Sequence, residues 1–444
     1  MKRTSVILLT SLMLSCKSKS LEPLLLADGA PLPAASLHTS KPPAQLTAAP
    51  KPPLDVLWES VHTESNVVRA QLRGGGMADL SVDADLQRFS ERALAAAKLK
   101  TGSAVALEVR TGRVLAFASF PVATAAGAVH QATLATAPAA SVFKVVTGTA
   151  LMESGKVGPQ TEECFAGGGG QKLTERDLVV DSDRDHICVT LAHAMGHSTN
   201  AVFARLAQRH VPRDKLQNVT DRLRFTRELG LDVPLQPSKY TPPADDAGYA
   251  RTAAGFWNST LSAPHAAWLS AVMANGGTAP TPWLIARATR DGAAPYEHQS
   301  AQAAAEPIVA PEVAAAVTEM MRTTVTDGTA RKAFHDGAGR SFLGDLSVAG
   351  KTGTLTDHEN KVYYTWFTSF APAGATPEVE PIAVAVLAAN GPSWKVKANV
   401  IAREILRHAF AQRHVQGVLS SAVPAYETPD PTKRVKSATA EKKR

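Results

Sequence analysis

The chain has 444 residues, of which 44% are hydrophobic and 20% are charged, a composition that excludes a polytopic membrane protein and a wholly disordered chain. Of the net charge of +7, two charges lie in the first three residues and a net five in the last twelve, so the body of the chain is balanced. A nucleic-acid-binding protein carries its basic excess on the folded domain, so we expect no nucleic-acid partner.

The N terminus has the pattern of an export signal. Lys2 and Arg3 precede an apolar run at 6–14, which is shorter than the roughly 18 residues of a spanning helix. Cys16 follows almost directly and resembles the lipid-bearing cysteine of bacterial lipoproteins, with ordinary cleavage or an uncleaved anchor as alternatives. We therefore predict a signal peptide at 1–15, lipidation of Cys16 and a membrane-anchored protein on the periplasmic or other extracytoplasmic face.

The predicted signal peptide is followed by a stretch without apolar periodicity. Residues 16–57 are rich in Pro and Ala, which predicts an extended, semi-rigid linker. Residues 421–444 are polar and basic, which predicts a solvated, disordered tail. The folded domain is expected between them, at 58–420.

Two cysteines remain if Cys16 is lipidated. Cys164 and Cys188 form an even pair on either side of a glycine-rich loop, and an exported protein lies in a compartment where disulfides form. We predict a disulfide between them, with two unrelated buried thiols as the alternative.

Apolar periodicity predicts a series of helices and strands in chain order. These are a helix at 83–98, a hairpin of strands at 103–109 and 114–119, helices at 141–153, 201–208 and 311–324, strands at 346–354, 362–371 and 381–389, and a helix at 397–411. This order predicts an α+β fold, in which an antiparallel sheet is faced by the two terminal helices and a helical subdomain is inserted in the middle.

Ser141 and Lys144 have the spacing of a nucleophile and its base. On a helix they lie one turn apart on one face. A serine becomes nucleophilic when a neighbour accepts its proton, and burial lowers the pKa of a lysine enough for it to do so. A helix N terminus adds free N–H groups for an oxyanion. The alternative is a helix cap beside a solvated lysine.

Two further segments carry residues suited to ligand binding. Ser198 and Asn200 precede a predicted helix, where the hydroxyl can relay a proton and the carboxamide can hold a substrate amide; a simple helix cap is the alternative. Residues 350–354 read Gly-Lys-Thr-Gly-Thr in a strand-like segment, which offers close backbone approach and groups for a carboxylate. The segment is not a phosphate-binding loop, because that motif needs a glycine at position 345, where the chain has Asp345.

In order, the three segments are Ser-x-x-Lys, Ser-x-Asn and Lys-Thr-Gly, and the set resembles the transpeptidase domain of penicillin-binding proteins. The resemblance extends from about residue 80 to about residue 410. It implies a β-lactamase/transpeptidase-like fold: a five-stranded antiparallel sheet, flanking N- and C-terminal helices and an inserted all-helical subdomain. The sixty-odd residues before the body are too few for a glycosyltransferase domain, so the resemblance is to the monofunctional, class B-like proteins.

The resemblance also implies a mechanism. Ser141 would attack the D-alanyl-D-alanine bond of a peptidoglycan stem peptide and form an acyl-enzyme, while Lys144 takes its proton and Ser198 passes a proton to the leaving amine. A neighbouring stem peptide would then accept the acyl group. A β-lactam would act as a covalent inhibitor, and neither a metal nor an organic cofactor is expected.

The remaining motif residues would bind substrate. Asn200 would hold the substrate amide, and Lys351 would supply a positive field. Thr352, Gly353 and Thr354 would form the strand that receives the substrate, with the two threonines on its carboxylate. The backbone N–H groups of the nucleophile and of Thr354 would form the oxyanion hole.

Three alternatives use the same nucleophile. A D,D-carboxypeptidase would transfer the acyl group to water. A class A β-lactamase would need Glu-x-x-Leu-Asn, which is absent between 201 and 350, and a class D enzyme would have Val in place of Asn200. A β-lactam sensor would be acylated once and would signal through a membrane segment.

Overall fold

The computed structural model describes residues 53–167, 173–299, 306–374, 379–391 and 396–415. The predicted signal peptide, Cys16, most of the predicted linker and the basic tail lie outside these residues. The end of the predicted linker is folded, which corrects that boundary: the Leu54 N–H donates to the carbonyl of Asp232 (2.7 Å), and Val56 pairs with Leu72 and is buried. Apolar residues at 54, 56 and 57 therefore belong to the domain.

The helices of the described residues are α1 (Ala84–Ala96), α2 (Lys144–Glu153), α3 (Glu175–Leu178), α4 (Leu191–His197), α5 (Asn200–His210), α6 (Arg213–Arg222), α7 (Asp246–Ala253), α8 (Ala263–Ala274), α9 (Pro311–Thr326), α10 (Arg331–Phe334) and α11 (Ala398–Val415). None of them has the length and apolar composition needed to cross a membrane. The α1 helix begins where the Asp83 carboxylate accepts the N–H groups of Asp85 and Leu86, an N-cap of the usual kind.

The strands of the same residues are β1 (His62–Glu64), β2 (Val67–Gln71), β3 (Met77–Leu80), β4 (Thr101–Glu108), β5 (Val114–Phe120), β6 (Ala137–Pro138), β7 (Glu162–Phe165), β8 (Ile187–Thr190), β9 (Lys239–Tyr240), β10 (Ser259–Leu261), β11 (Thr278–Ala279), β12 (Ile285–Thr289), β13 (Tyr296–Glu297), β14 (Glu306–Pro307), β15 (Ala349–Asp357), β16 (Val362–Ala371) and β17 (Ile382–Asn390).

The central sheet has five antiparallel strands in the order β15-β16-β17-β4-β5. Successive side chains of a strand point to opposite faces, and both faces here are covered. On one face, residues such as Val384 pack with α1 and α11; on the other, residues such as Ala385 pack with α8. This confirms the predicted sheet and its two flanking helices.

The inserted subdomain between β5 and β15 is mainly helical but not all-helical. It also contains the β7–β8 ribbon and the short β6-β10-β9 sheet. Cys164 and Cys188 lie directly opposite each other in the ribbon and are joined by a disulfide. Strands of two to four residues are too short for an alternating apolar pattern to reveal them, which is why the prediction missed them.

A second five-stranded sheet, β1-β2-β3-β12-β13, was not predicted. Strands β1 to β3 lie before α1, and β12 and β13 come from the insert, about two hundred residues later in the chain. Its buried side chains, including Val68, Ala78 and Ile285, join the main core. The sheet therefore ties the start of the folded chain to the insert.

Candidate active site

Ser141 lies on a single 3-10 turn, Ala140–Phe143, that leads into α2; the predicted helix from 141 to 153 is α-helical only from Lys144. In a 3-10 turn, residues three apart are eclipsed, which aims Lys144 directly at the serine. Ala140 has a positive φ of 49°. The turn packs against Gly255, where a Cβ atom would lie 2.5 Å from the Ala140 carbonyl oxygen, so only glycine fits there.

The amine of Lys144 makes three polar contacts. Its Nζ lies 3.0 Å from Ser141 Oγ and 2.7 Å from Asn200 Oδ1, and it also contacts the carbonyl oxygen of Ala254. The last two partners are acceptors only. A neutral amine has two N–H groups and one lone pair, so donating to these oxygens leaves the lone pair facing the serine hydroxyl.

Burial favours this neutral form. The Lys144 side chain is fully buried, and desolvation, followed by the charge of Lys351, holds its pKa well below the usual lysine range. A buried ammonium loses its hydration, so burial shifts the equilibrium toward the uncharged amine. The arrangement can therefore take a proton from Ser141.

Ser198 and Lys351 form a second serine–lysine pair. Ser198 lies at the C terminus of α4, in the left-handed conformation. It is therefore not the N-terminal helix cap that was the alternative to a catalytic role. Lys351 Nζ lies 3.0 Å from Ser198 Oγ and 2.9 Å from the carbonyl oxygen of Thr352. Lys351 is fully buried, and desolvation lowers its pKa to about 7.

Strand β15 lies beside the nucleophile, and the two line one surface groove. At Gly353 a Cβ atom would lie 3.1 Å from Trp366 Cβ and 3.3 Å from Ala140 Cβ, so glycine lets the strand approach the Ser141 turn. Thr352 and Thr354 line the same groove. The Thr352 hydroxyl lies 2.6 Å from that of Thr329, which the sequence did not predict as a site residue.

All the predicted site residues come together at this groove. Its lining includes Ser141, Ser198, Asn200, Thr352, Gly353 and Thr354, and Lys144 and Lys351 lie beneath it with their amines on the two serines. Four further lining residues, Ala254 to Trp257, were not predicted. Ala254 contributes only a backbone carbonyl, which every residue type carries and no motif can reveal.

One group of metal-ligating type lies beside the groove. His193, His197 and Asp327 have ligand atoms within 4.8 Å of one another, whereas the sequence predicted no metal. The two histidines are four residues apart, a spacing visible in the sequence. The carboxylate comes from 130 residues further on, so only the fold shows the set.

The family model described as penicillin binding protein transpeptidase domain matches residues 102–407 of the chain. The chain belongs to this family. Among curated relatives it is 28% identical to peptidoglycan D,D-transpeptidase PbpA of Mycolicibacterium smegmatis over 335 residues, and 29% identical to PbpA of Mycobacterium tuberculosis over 336. Each alignment covers 65% of this chain and 62% of the relative, so the chain spans less than two thirds of their length.

Solved structures of the family share the fold. The D,D-transpeptidase domain from Eggerthella lenta superposes with a TM-score of 0.60 at 23% identity, covering 78% of this chain and 84% of that one. The imipenem acyl-enzyme of penicillin-binding protein A from M. tuberculosis gives 0.58 at 24% identity, covering 76% and 80%. The β-lactamase/transpeptidase-like fold expected of this penicillin-binding protein domain is thereby confirmed.

Proposed function

We propose that this penicillin-binding protein is a serine D,D-transpeptidase that cross-links peptidoglycan stem peptides. The observation that carries the proposal is the pair of serine–lysine contacts in one groove, Ser141 with Lys144 and Ser198 with Lys351, each 3.0 Å long. The family match and the names of the curated relatives support the same activity.

The reaction is an acyl transfer in two steps. Ser141 Oγ bonds to the carbonyl carbon of the penultimate D-alanine as its proton passes to Lys144. The bond to the terminal D-alanine then breaks, and that amine leaves with a proton relayed through Ser198. An amine of a second stem peptide attacks the acyl-enzyme by the reverse proton path and releases the serine.

The other groups bind and orient the substrate. Asn200 holds the substrate amide while its carbonyl fixes Lys144, and Thr352 and Thr354 bind the substrate carboxylate in the field of Lys351. The backbone N–H groups of Ser141 and Thr354 stabilise the oxyanion. A β-lactam carries the same carboxylate and a reactive amide, so it acylates Ser141 and blocks the site.

We also propose that the protein acts outside the cytoplasm, anchored by a lipid on Cys16. The export pattern at 1–15 supports this location, and the Pro-rich residues that follow would hold the folded domain away from the membrane. Cell fractionation of the Cys16→Ala variant tests the anchor: variant protein that stays in the membrane fraction contradicts it.

The test of the activity is release of D-alanine from a stem-peptide mimic, with and without an added amine acceptor. We expect release in both cases and a cross-linked product when the acceptor is present. Release without any cross-linked product indicates a carboxypeptidase. Rapid hydrolysis of a penicillin indicates a β-lactamase, and stable acylation without D-alanine release indicates a sensor.

Acylation by a penicillin should weaken as the pH rises above about 7. The pKa of Lys351 is lowered to about 7 by burial, so the amine is charged below that pH and neutral above it. A neutral amine no longer attracts the carboxylate, and kcat/KM, which reports ionisations of the free enzyme, should fall by about tenfold per pH unit. The measurement is the acylation rate of a fluorescent penicillin from pH 6 to 9.

The Lys351→Arg variant is the control for this profile. Its guanidinium stays charged throughout this range, so the fall above pH 7 should disappear while the melting temperature shows that the variant is folded. A wild-type profile that remains flat to pH 9 would show that the charge of Lys351 does not control acylation.

A further inference from the structure

A histidine pair and a carboxylate meet at the end of α4, immediately before the Ser-x-Asn segment. The rings of His193 and His197 stack with their centroids 4.0 Å apart. His197 Nε2 lies 3.1 Å from Asp327 Oδ2. The three side chains place their ligand atoms within 4.8 Å of one another.

Backbone contacts hold Asp327 beside His197. At Gly328 a Cβ atom would lie 2.1 Å from the carbonyl oxygen of Gly196, so the turn after α9 packs directly on the last turn of α4. The Thr329 N–H donates to the same carbonyl (3.0 Å). Asp327 is therefore fixed beside His197 by two elements that cannot separate without breaking this contact.

One polar atom of the cluster is unsatisfied: the buried Nδ1 of His193 has no hydrogen-bond partner among the described residues.

We propose that His193, His197 and Asp327 bind a divalent transition-metal ion, with Zn²⁺ as the preferred species. Two imidazoles and one carboxylate, with a water as the fourth ligand, are a common donor set for zinc. A tetrahedral zinc with bonds of about 2.0–2.1 Å holds its ligands roughly 3.3 Å apart. His197 Nε2 and Asp327 Oδ2 lie 3.1 Å apart, close to this spacing. The ring of His193 must turn out of its stack on His197 to point a nitrogen at the same ion.

The position of the ion gives it a structural role at the groove. His197 directly precedes Ser198, and Thr329, two residues after Asp327, contacts the hydroxyl of Thr352. An ion bound here joins α4 to the turn after α9 and so holds Ser198 and Thr329 in place at the groove. It should therefore stabilise the fold by an amount that rises with the logarithm of the free metal concentration above its Kd, as for any ligand that binds only the native state.

The test is direct metal binding by the full chain, purified without a polyhistidine tag and stripped with a chelator. Titration with ZnCl₂ should show one tight site per chain and a rise in melting temperature. His193→Ala, His197→Ala and Asp327→Asn should each weaken binding by at least the roughly 10–100-fold that loss of a mere outer-shell partner costs. Mg²⁺ should not compete, because it prefers all-oxygen sites.

His358 provides the matched control, because it lines the same groove outside the cluster. His358→Ala should bind zinc as tightly as the wild type. Absence of a saturable site, or equal affinity in the wild type and the His193→Ala/His197→Ala double variant, overturns the proposal. If a variant does not fold, X-ray absorption of the zinc-loaded wild type decides: two imidazole ligands support the site, and none overturns it.

Discussion

Ser141→Ala is expected to abolish covalent labelling by a fluorescent penicillin and to reduce D-alanine release by roughly 10⁴-fold or more. The label requires a bond to Oγ, and Ser141 is the hydroxyl against which the neutral amine of Lys144 lies, at 3.0 Å. The groove and its hydrogen-bond donors remain, so non-covalent binding should persist. Labelling on gels and a D-alanine assay are the measurements.

The same substitution at the other end of α2 provides the control. The hydroxyl of Ser154, the residue after α2, donates to the carbonyl oxygen of Leu151 and accepts the N–H of Lys156, so Ser154→Ala should label like the wild type. Ser141→Ala should keep its melting temperature within a few degrees, because it removes one partly buried hydroxyl. Labelling that persists in the folded Ser141→Ala protein would assign the nucleophile to another residue, with Ser198 the next candidate.

The parts of the fold that the sequence predicted well are those with long, regular patterns. Strand β16 has the predicted bounds, and β4, β5, β17, α1, α9 and α11 differ from prediction by a few residues at their ends. Each spans seven or more residues, so several repeats of the apolar period are present. These elements build the central sheet and its flanking helices, and the fold class followed from them.

The missed elements are short or depend on distant partners. All three residues of strand β1 are exposed, and β7 and β8 have only four residues each, so no apolar alternation marks them. They exist because of pairing: β3 pairs with β12, and the disulfide holds β7 against β8. Pairing across two hundred residues leaves no local signal.

The candidate site also contains some groups that a local motif predicts and others that only the fold brings into place. Side chains in short motifs, such as Ser141, Lys144 and Lys351, were predicted because their types and spacing imply a chemistry. The Ala254 carbonyl, which accepts from Lys144, and the Thr329 hydroxyl, which contacts Thr352, reach the groove only through the fold. Sequence therefore predicted which groups react, while the structure shows which groups hold them in place.

Lys144→Met should slow acylation by about 10²–10⁴-fold, the usual contribution of a general base. Methionine fills the buried volume of the lysine stem but cannot accept the Ser141 proton. Non-covalent binding of a penicillin should change little, because the groups proposed to hold its carboxylate lie on β15. The measurement is the acylation rate as a function of penicillin concentration, which separates the rate constant from binding.

Two further variants test whether the slower acylation comes from loss of the base. Lys156→Met removes an exposed lysine just beyond α2 and should acylate normally. Lys144→Arg keeps a cation whose proton does not leave at accessible pH, so it should be as slow as Lys144→Met if the proton-accepting lone pair matters and nearly as fast as wild type if only positive charge does. Wild-type rates in a folded Lys144→Met protein would transfer the role of base to Lys351, acting through Ser198.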